Sequence, residues 1–157
     1  MSAATLVALC TAQGLTVTCA ESCTGGMVAA AITDVAGSSA VFERGFVTYS
    51  NVAKTEMLGV APATLEAHGA VSEEVAAQMA SGAQTAAGAQ IAVAITGIAG
   101  PGGSEFKPEG RVCFGIIGPN TKLSTETVEF GALGRAQVRQ AARDHAIGLL
   151  LAAAQAA

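Results

Sequence analysis

The chain has no tryptophan, one tyrosine and five phenylalanines, and its 157 residues include only eight lysines and arginines against twelve acidic residues. Nucleic-acid binding needs basic side chains to meet phosphates and aromatic rings to stack on bases, and both are scarce here. The net charge of −4 bears on solubility and does not bar a small anionic ligand that local donors receive. Histidine is nearly missing as well, with His68 and His145 each isolated. Of the four cysteines, Cys19 and Cys23 are four apart, but no second close pair completes a zinc ligand set, so neither metal nor cofactor is expected. Cys10, Cys19 and Cys113 lie in apolar runs and read as small core residues, kept reduced in the cytoplasm, the expected compartment. The apolar fraction is 51%, yet no uninterrupted span of about 20 large apolar residues occurs. Met1 to Val7 carries no basic side chain. Neither a membrane span nor a secretory leader is expected.

What the chain does have is alanine-rich helical pattern alternating with short β-branched runs, enough for one core, and a single domain over 1–157 is expected. A helix ending near Gly14, a strand over Leu15 to Ala20 and a helix over Thr24 to Val35 open the order. The β-formers of Val41 to Ser50 predict a strand, and Asn51 is read as the cap of a short helix over Val52 to Leu58 that Gly59 closes. Pro62 to His68 reads as a further short helix. Ser72 caps a longer one over Glu73 to Ala87, whose first-turn glutamates suit the helix dipole. Ile91 to Thr96 is almost wholly apolar, as in a strand buried on both faces. Arg111 to Ile117 and Lys122 to Phe130 flank Gly118-Pro119 as a hairpin, and Gly134 to Ala156 is a closing helix. This order predicts a three-layer α/β/α sandwich around a mixed, mostly parallel sheet. Ligands of such sheets bind beyond the carboxyl ends of the strands.

Three segments fall at such ends. In Glu21-Ser22-Cys23-Thr24-Gly25-Gly26 a hydroxyl precedes a glycine-rich helix start, where the N–H groups of Thr24, Gly25 and Gly26 face an anion or an oxyanion. A simple helix cap explains this stretch alone equally well. In Thr48-Tyr49-Ser50-Asn51-Val52-Ala53-Lys54 a lysine falls in the first turn of a helix, where the dipole and burial disfavour its ammonium form and leave an amine that can take a serine proton. Tyr49 is near enough in sequence to orient that amine or relay a proton. The alternative is a solvated helix lysine and a packing tyrosine. The loop Thr96-Gly97-Ile98-Ala99-Gly100-Pro101-Gly102-Gly103 matches neither the Walker pattern nor GxGxxG, although its backbone can approach a phosphate or carboxamide closely. Cys23 is a weaker candidate nucleophile without a histidine partner. Arg135 and Arg139, four apart on one helical face, serve either a phosphate or solvent.

Ala20 to Gly26, Tyr49-Ser50-Asn51 with Lys54 and Leu58-Gly59-Val60, Gly69-Ala70-Val71-Ser72, and Ile95 to Gly103 together resemble, in order, the C-terminal domain family of the competence/damage-inducible protein CinA. The resemblance runs from about Leu6 to Leu150. Lys107-Pro108-Glu109-Gly110 keeps a Lys-Pro-x-Gly signature, whereas Gly134 precedes Arg135 where many members carry an acidic residue. What the resemblance implies is an α/β/α domain with nicotinamide-nucleotide amidase activity, converting nicotinamide mononucleotide to nicotinic acid mononucleotide and ammonia. The family's serine, tyrosine and lysine fall on Ser22, Tyr49 and Lys54. Glu21, Thr24, Gly25 and Gly26 at one corner, and Thr96, Gly97, Ala99, Gly100, Pro101 and Gly102 at the other, are the expected substrate-binding positions. A homo-oligomer is expected from the alanine-rich helix faces. The competing expectation is a non-catalytic nucleotide-binding regulatory module.

Overall fold

A computed structural model describes residues 2–157. Its elements run α1 (Ala3–Gln13), β1 (Val17–Glu21), α2 (Met27–Thr33), β2 (Phe46–Val47), α3 (Asn51–Leu58), α4 (Pro62–His68), α5 (Glu73–Ala87), β3 (Ile91–Gly97), β4 (Arg111–Ile117), β5 (Ser124–Glu129) and α6 (Arg135–Ala156). The strands form one sheet in the order β2-β1-β3-β4-β5. Strand β1 pairs in parallel with β2 and β3, while β3 with β4 and β4 with β5 are antiparallel. The sheet is mixed, with parallel and antiparallel pairings in equal number.

Side-chain alternation along the strands sets the layers. Val17, Cys19, Ile91, Val93, Ile95 and Phe114 join α1, α2 and α6 in the larger core cluster. Ala20, Ala92 and Ala94 face α5, where Val75, Met79, Ala80 and Ala83 meet them together with Leu58 and Val60. The large residues thus fill one side, and the small ones let α5 lie close on the other. Helices α3 and α4 rest on α5.

Gly82 of α5 shows how close that approach is, since a Cβ placed there would lie 2.0 Å from the carbonyl oxygen of Leu58, at the end of α3. Alanine is the better helix former by about 1 kcal/mol. Overpacking against backbone costs about 1–3 kcal/mol and wins. Gly82→Ala is therefore expected to lower the thermal midpoint and, by pushing α3, to lower any activity that depends on Lys54; a midpoint at or above that of the parent protein would refute this.

Several boundaries differ from the sequence reading by a residue or two, and three differences have a visible cause near the site. The helix expected from Thr24 begins only at Met27, because Gly25 and Gly26 take positive φ values of 57° and 108° and turn the chain first. The cap of α3 is Ser50, whose hydroxyl accepts from the Ala53 N–H at 3.0 Å, and Asn51 is already helical. The strand expected over Val41 to Ser50 is reduced to a single bridge at Phe42 and the two residues of β2. Between them the Thr18 hydroxyl donates to the Arg44 carbonyl at 2.7 Å, a side-chain bond that replaces the ladder.

The topology gathers the chemistry. Because β1, β2 and β3 are parallel, their carboxyl ends share one edge of the sheet, and two antiparallel steps bring the end of β5 to that edge too. Four connections therefore meet there: Ser22 to Gly26, Thr48 to Ser50, Ile98 to Gly110, and the start of α6.

Candidate active site

Glu21 and Ser22, adjacent in sequence, serve opposite sides of this edge. Glu21 continues the alternation of Val17 and Cys19 and is fully buried under α2. Its Oε1 accepts the N–H groups of Gly26 at 3.2 Å and Val28 at 3.0 Å, and its Oε2 accepts that of Ala29 at 3.0 Å. The start of α2, read from sequence as an external anion site, thus already holds the protein's own carboxylate. Glu21, expected among the substrate-binding residues, does not line the cavity described below.

Ser22 lies on the other side, its own N–H donated to the Ile95 carbonyl at 3.0 Å. Its Oγ is 3.0 Å from Nζ of Lys54. Lys54 enters the first turn of α3 and is almost wholly enclosed, with 1% of its surface exposed. Nζ also donates to the Thr48 carbonyl at 2.9 Å and the Tyr49 carbonyl at 3.3 Å. No carboxylate pairs with it among the described residues. Burial pushes its pKa below the ordinary lysine value. A neutral amine has two N–H bonds and one lone pair. As an ammonium Nζ donates to all three oxygens; once deprotonated it keeps the two carbonyls and can turn its lone pair to the Ser22 hydroxyl.

Tyr49 is positioned differently from the sequence expectation of a group beside the amine. Its carbonyl steadies Lys54, but the residue is 62% exposed and its hydroxyl accepts from Nη2 of Arg135 at 3.0 Å. Cys23 is 5% exposed, and burial, the largest influence, raises its thiol to about 11. Such a thiol is protonated at neutral pH and is a poor nucleophile.

Ser22, Tyr49, Lys54, Thr96, Gly97 and Ala99 all line one cavity of about 230 Å³. Thr24, Gly25, Gly26, Gly100, Pro101 and Gly102 do not line it and act on its frame. Of the three N–H groups expected to receive an oxyanion, those of Gly25 and Gly26 are taken by the Ser22 carbonyl and Glu21. Thr24 N–H has no acceptor among the described residues, and neither has Cys23 N–H; these are the free main-chain donors next to Ser22. The Thr24 hydroxyl is buried without a partner. The Gly102 N–H is bound at 2.7 Å by Glu109, whose other oxygen accepts the Gly134 N–H at 2.9 Å and so ties the loop to the start of α6. Among the described residues no group of three or more His, Cys, Asp or Glu side chains is gathered to hold a metal ion.

The two arginines divide their work. Arg139 donates to the carbonyls of Cys23 at 3.0 Å and Thr24 at 3.2 Å, clamping the serine corner from α6. Arg135 lines the cavity and is tied to the Gly100 carbonyl at 2.6 Å and to Tyr49. Ala70, Val71, Ser104 and Glu105 also line it and were not singled out from sequence as site residues. Ala70 and Val71 belong to the family-like stretch Gly69 to Ser72, and for Ser104 and Glu105 the nearby Lys107-Pro108-Glu109-Gly110 signature was the only signal.

The family model described as CinA C-terminal domain matches residues 1–154. The chain belongs to this family. Among curated CinA-related proteins it is 58% identical over 132 residues to the nicotinamide-nucleotide amidohydrolase PncC of Enterobacter agglomerans, covering 83% of this chain and 80% of that protein. It is 67% identical over 104 residues to the PncC protein of Escherichia coli K12, covering 66% of this chain and 63%, just under two thirds, of that protein. The crystal structure of the competence/damage-inducible protein CihA from Agrobacterium tumefaciens superposes with a TM-score of 0.92 at 48% identity, over 96% of this chain and 92% of that one. The mixed sheet flanked by helices is therefore the CinA-family fold.

Proposed function

We propose that this single CinA-type domain hydrolyses the carboxamide of nicotinamide mononucleotide to nicotinic acid mononucleotide and ammonia. The observation that carries the reading is the buried Lys54 Nζ, 3.0 Å from Ser22 Oγ with two carbonyls as its other partners, at the wall of a cavity. The nicotinamide-nucleotide amidohydrolase activity for which the two PncC relatives are named supplies the substrate.

Neutral Lys54 takes the Ser22 proton as Oγ bonds to the carboxamide carbon. The negative oxygen that results is received by the Cys23 N–H, the unclaimed main-chain donor that borders the cavity beside Ser22. The lysine ammonium returns its proton to the amide nitrogen, the carbon–nitrogen bond breaks, and ammonia departs. Tyr49 is the proposed shuttle for that proton, supported by its place on the cavity wall. Water then attacks the acyl-serine with Lys54 again as base, releasing the acid and restoring Ser22. Thr96, Gly97 and Ala99 flank the substrate, and Arg135 is the cation on the wall for its phosphate.

A cytoplasmic setting and a homo-oligomer belong to the same reading. No helix of the described residues is long and apolar enough to cross a membrane. Val47, Tyr49 and Val52, all exposed around the short edge strand β2, are apolar side chains that an assembly would cover.

The test is incubation with nicotinamide mononucleotide, with ammonia and nicotinic acid mononucleotide both quantified. Formation of the two in equal amounts is the expected result. Ligand binding without turnover would replace the amidase by a nucleotide-binding regulatory module.

A further inference from the structure

Glu105 is an acidic side chain on the wall of the active cavity that the mechanism above leaves unused. Unlike Glu21, Glu109 and Glu129, it has no hydrogen-bond or ion-pair partner among the described residues. It is nevertheless held in place. The Ser104 N–H donates to the Lys107 carbonyl at 2.9 Å and the Lys107 N–H to the Ser104 carbonyl at 2.8 Å, closing a two-residue turn. At its tip Glu105 and Phe106 adopt φ values of 51° and 64°, which non-glycine residues rarely do. Backbone of this kind persists where surrounding structure fixes it, and it gathers at functional sites. Here the fixing bonds come from Lys107 Nζ, which donates to the carbonyls of His68 and Val71. The Glu105 carboxylate in turn lies against Gly69, where an added Cβ would be 2.8 Å from Oε2.

We infer that Glu105 is a specificity-determining residue that favours substrates whose ring carries a positive charge, an inference that rests on the amidase reading. The charged side chains on the cavity wall are Lys54, Glu105 and Arg135. Lys54 is enclosed among three oxygens at the Ser22 end, so the wall presents to a ligand one exposed anion, Glu105, and one exposed cation, Arg135. A nicotinamide nucleotide is the matching pair, a pyridinium ring and a phosphate. A carboxamide on an uncharged ring gains nothing from Glu105. The carboxylate stands in contact with solvent, so its effect is modest, up to about fivefold in affinity, and fades as salt is raised.

The test compares nicotinamide mononucleotide with its reduced dihydropyridine form, which keeps the carboxamide, ribose and phosphate but loses the ring charge. Dissociation constants for both are measured by calorimetry on Ser22→Ala protein, with and without Glu105→Gln and Glu105→Asp. Glu105→Gln is expected to weaken binding of the oxidised nucleotide about fivefold at low salt and to leave the reduced form within about twofold, with Glu105→Asp retaining most of the preference. Equal effects on both forms, or none, would overturn the inference. Ammonia release by the parent protein separates this from the amidase reading: an active parent with unchanged discrimination in Glu105→Gln sinks only the role of Glu105. A parent that releases no ammonia yet shows the charge preference sinks only the amidase. Failure of the parent to bind the oxidised nucleotide sinks both.

Discussion

Ser22→Ala and Lys54→Met each lower the rate of ammonia release from nicotinamide mononucleotide by about a thousandfold or more, while both proteins stay folded. The double variant is little worse than either, because nucleophile and base act as one unit. The expectation follows from the geometry of Nζ, whose partners are two carbonyls and the one hydroxyl. Methionine fills nearly the same volume as lysine. Its introduction leaves two carbonyls short of a donor, at about 1–3 kcal/mol, but also removes an amine that was costly to bury. Those terms oppose each other, so folding changes little and the rate carries the effect. Turnover by Lys54→Met near that of the parent would show that the serine is activated elsewhere.

The same lysine gives a pH signature with a definite sign. Folding lowers its pKa below the ordinary 10.5, so between the two values the unfolded chain binds the proton and the folded protein does not. Stability contributed by Lys54 therefore rises with pH through that window and is least below it, where the folded state must bury an ammonium. The rate rises with pH through the lowered folded value, since only the neutral amine is a base. Cys23 contributes in the opposite sense, its raised thiol costing stability above the ordinary 9.0. Because the two groups act on each other, the difference in thermal midpoint against pH is taken between Cys23→Ala and Cys23→Ala/Lys54→Met, which isolates the lysine. A flat difference from neutral to alkaline pH would contradict the buried neutral amine.

The elements with strong local signals were legible in the sequence. Pro62–His68, Glu73–Ala87 and Ile91–Gly97 fall within a residue of their expected bounds, since proline at a helix start, a Ser72 cap and an unbroken apolar run each act locally. The extent of Val41 to Ser50 was not legible, because the Thr18 hydroxyl that claims the Arg44 carbonyl comes from another strand. At the site, Ser22 and Lys54 were recoverable because a hydroxyl before two glycines and a lysine in a first turn carry their chemistry in sequence. The roles of Arg135 and Arg139 were not. Only the antiparallel return of β4 and β5 decides that the start of α6 reaches the serine corner, and spacing of four residues does not tell which arginine faces the cavity and which grips a carbonyl. Tyr49 shows the same limit, its nearness to Lys54 in sequence being expressed through its carbonyl while its hydroxyl turns to Arg135.

Glu21→Ala is expected to lose about 3–5 kcal/mol of stability, the cost of leaving buried donors facing no acceptor. In a chain of this size that lowers the thermal midpoint by about 10 °C. Sequence alone suggested a residue that touches substrate, whose loss would raise KM and leave the midpoint unmoved. The different outcome expected here follows from Glu21 being fully buried, with its two oxygens taking three N–H groups at the start of α2. The same bonds fix the turn that begins with Ser22. Glu21→Ala should therefore also lower kcat, by about tenfold for a loss of alignment worth 1.4 kcal/mol, at temperatures well below its own transition. Glu21→Gln falls between, its amide oxygen still able to accept from Gly26 and Val28 while its NH₂ group confronts the Ala29 N–H. Thermal unfolding beside steady-state rates at low temperature distinguishes the possibilities: a lower midpoint with lower kcat supports the buried carboxylate as the brace of the nucleophile. An unchanged midpoint with raised KM would return Glu21 to the substrate.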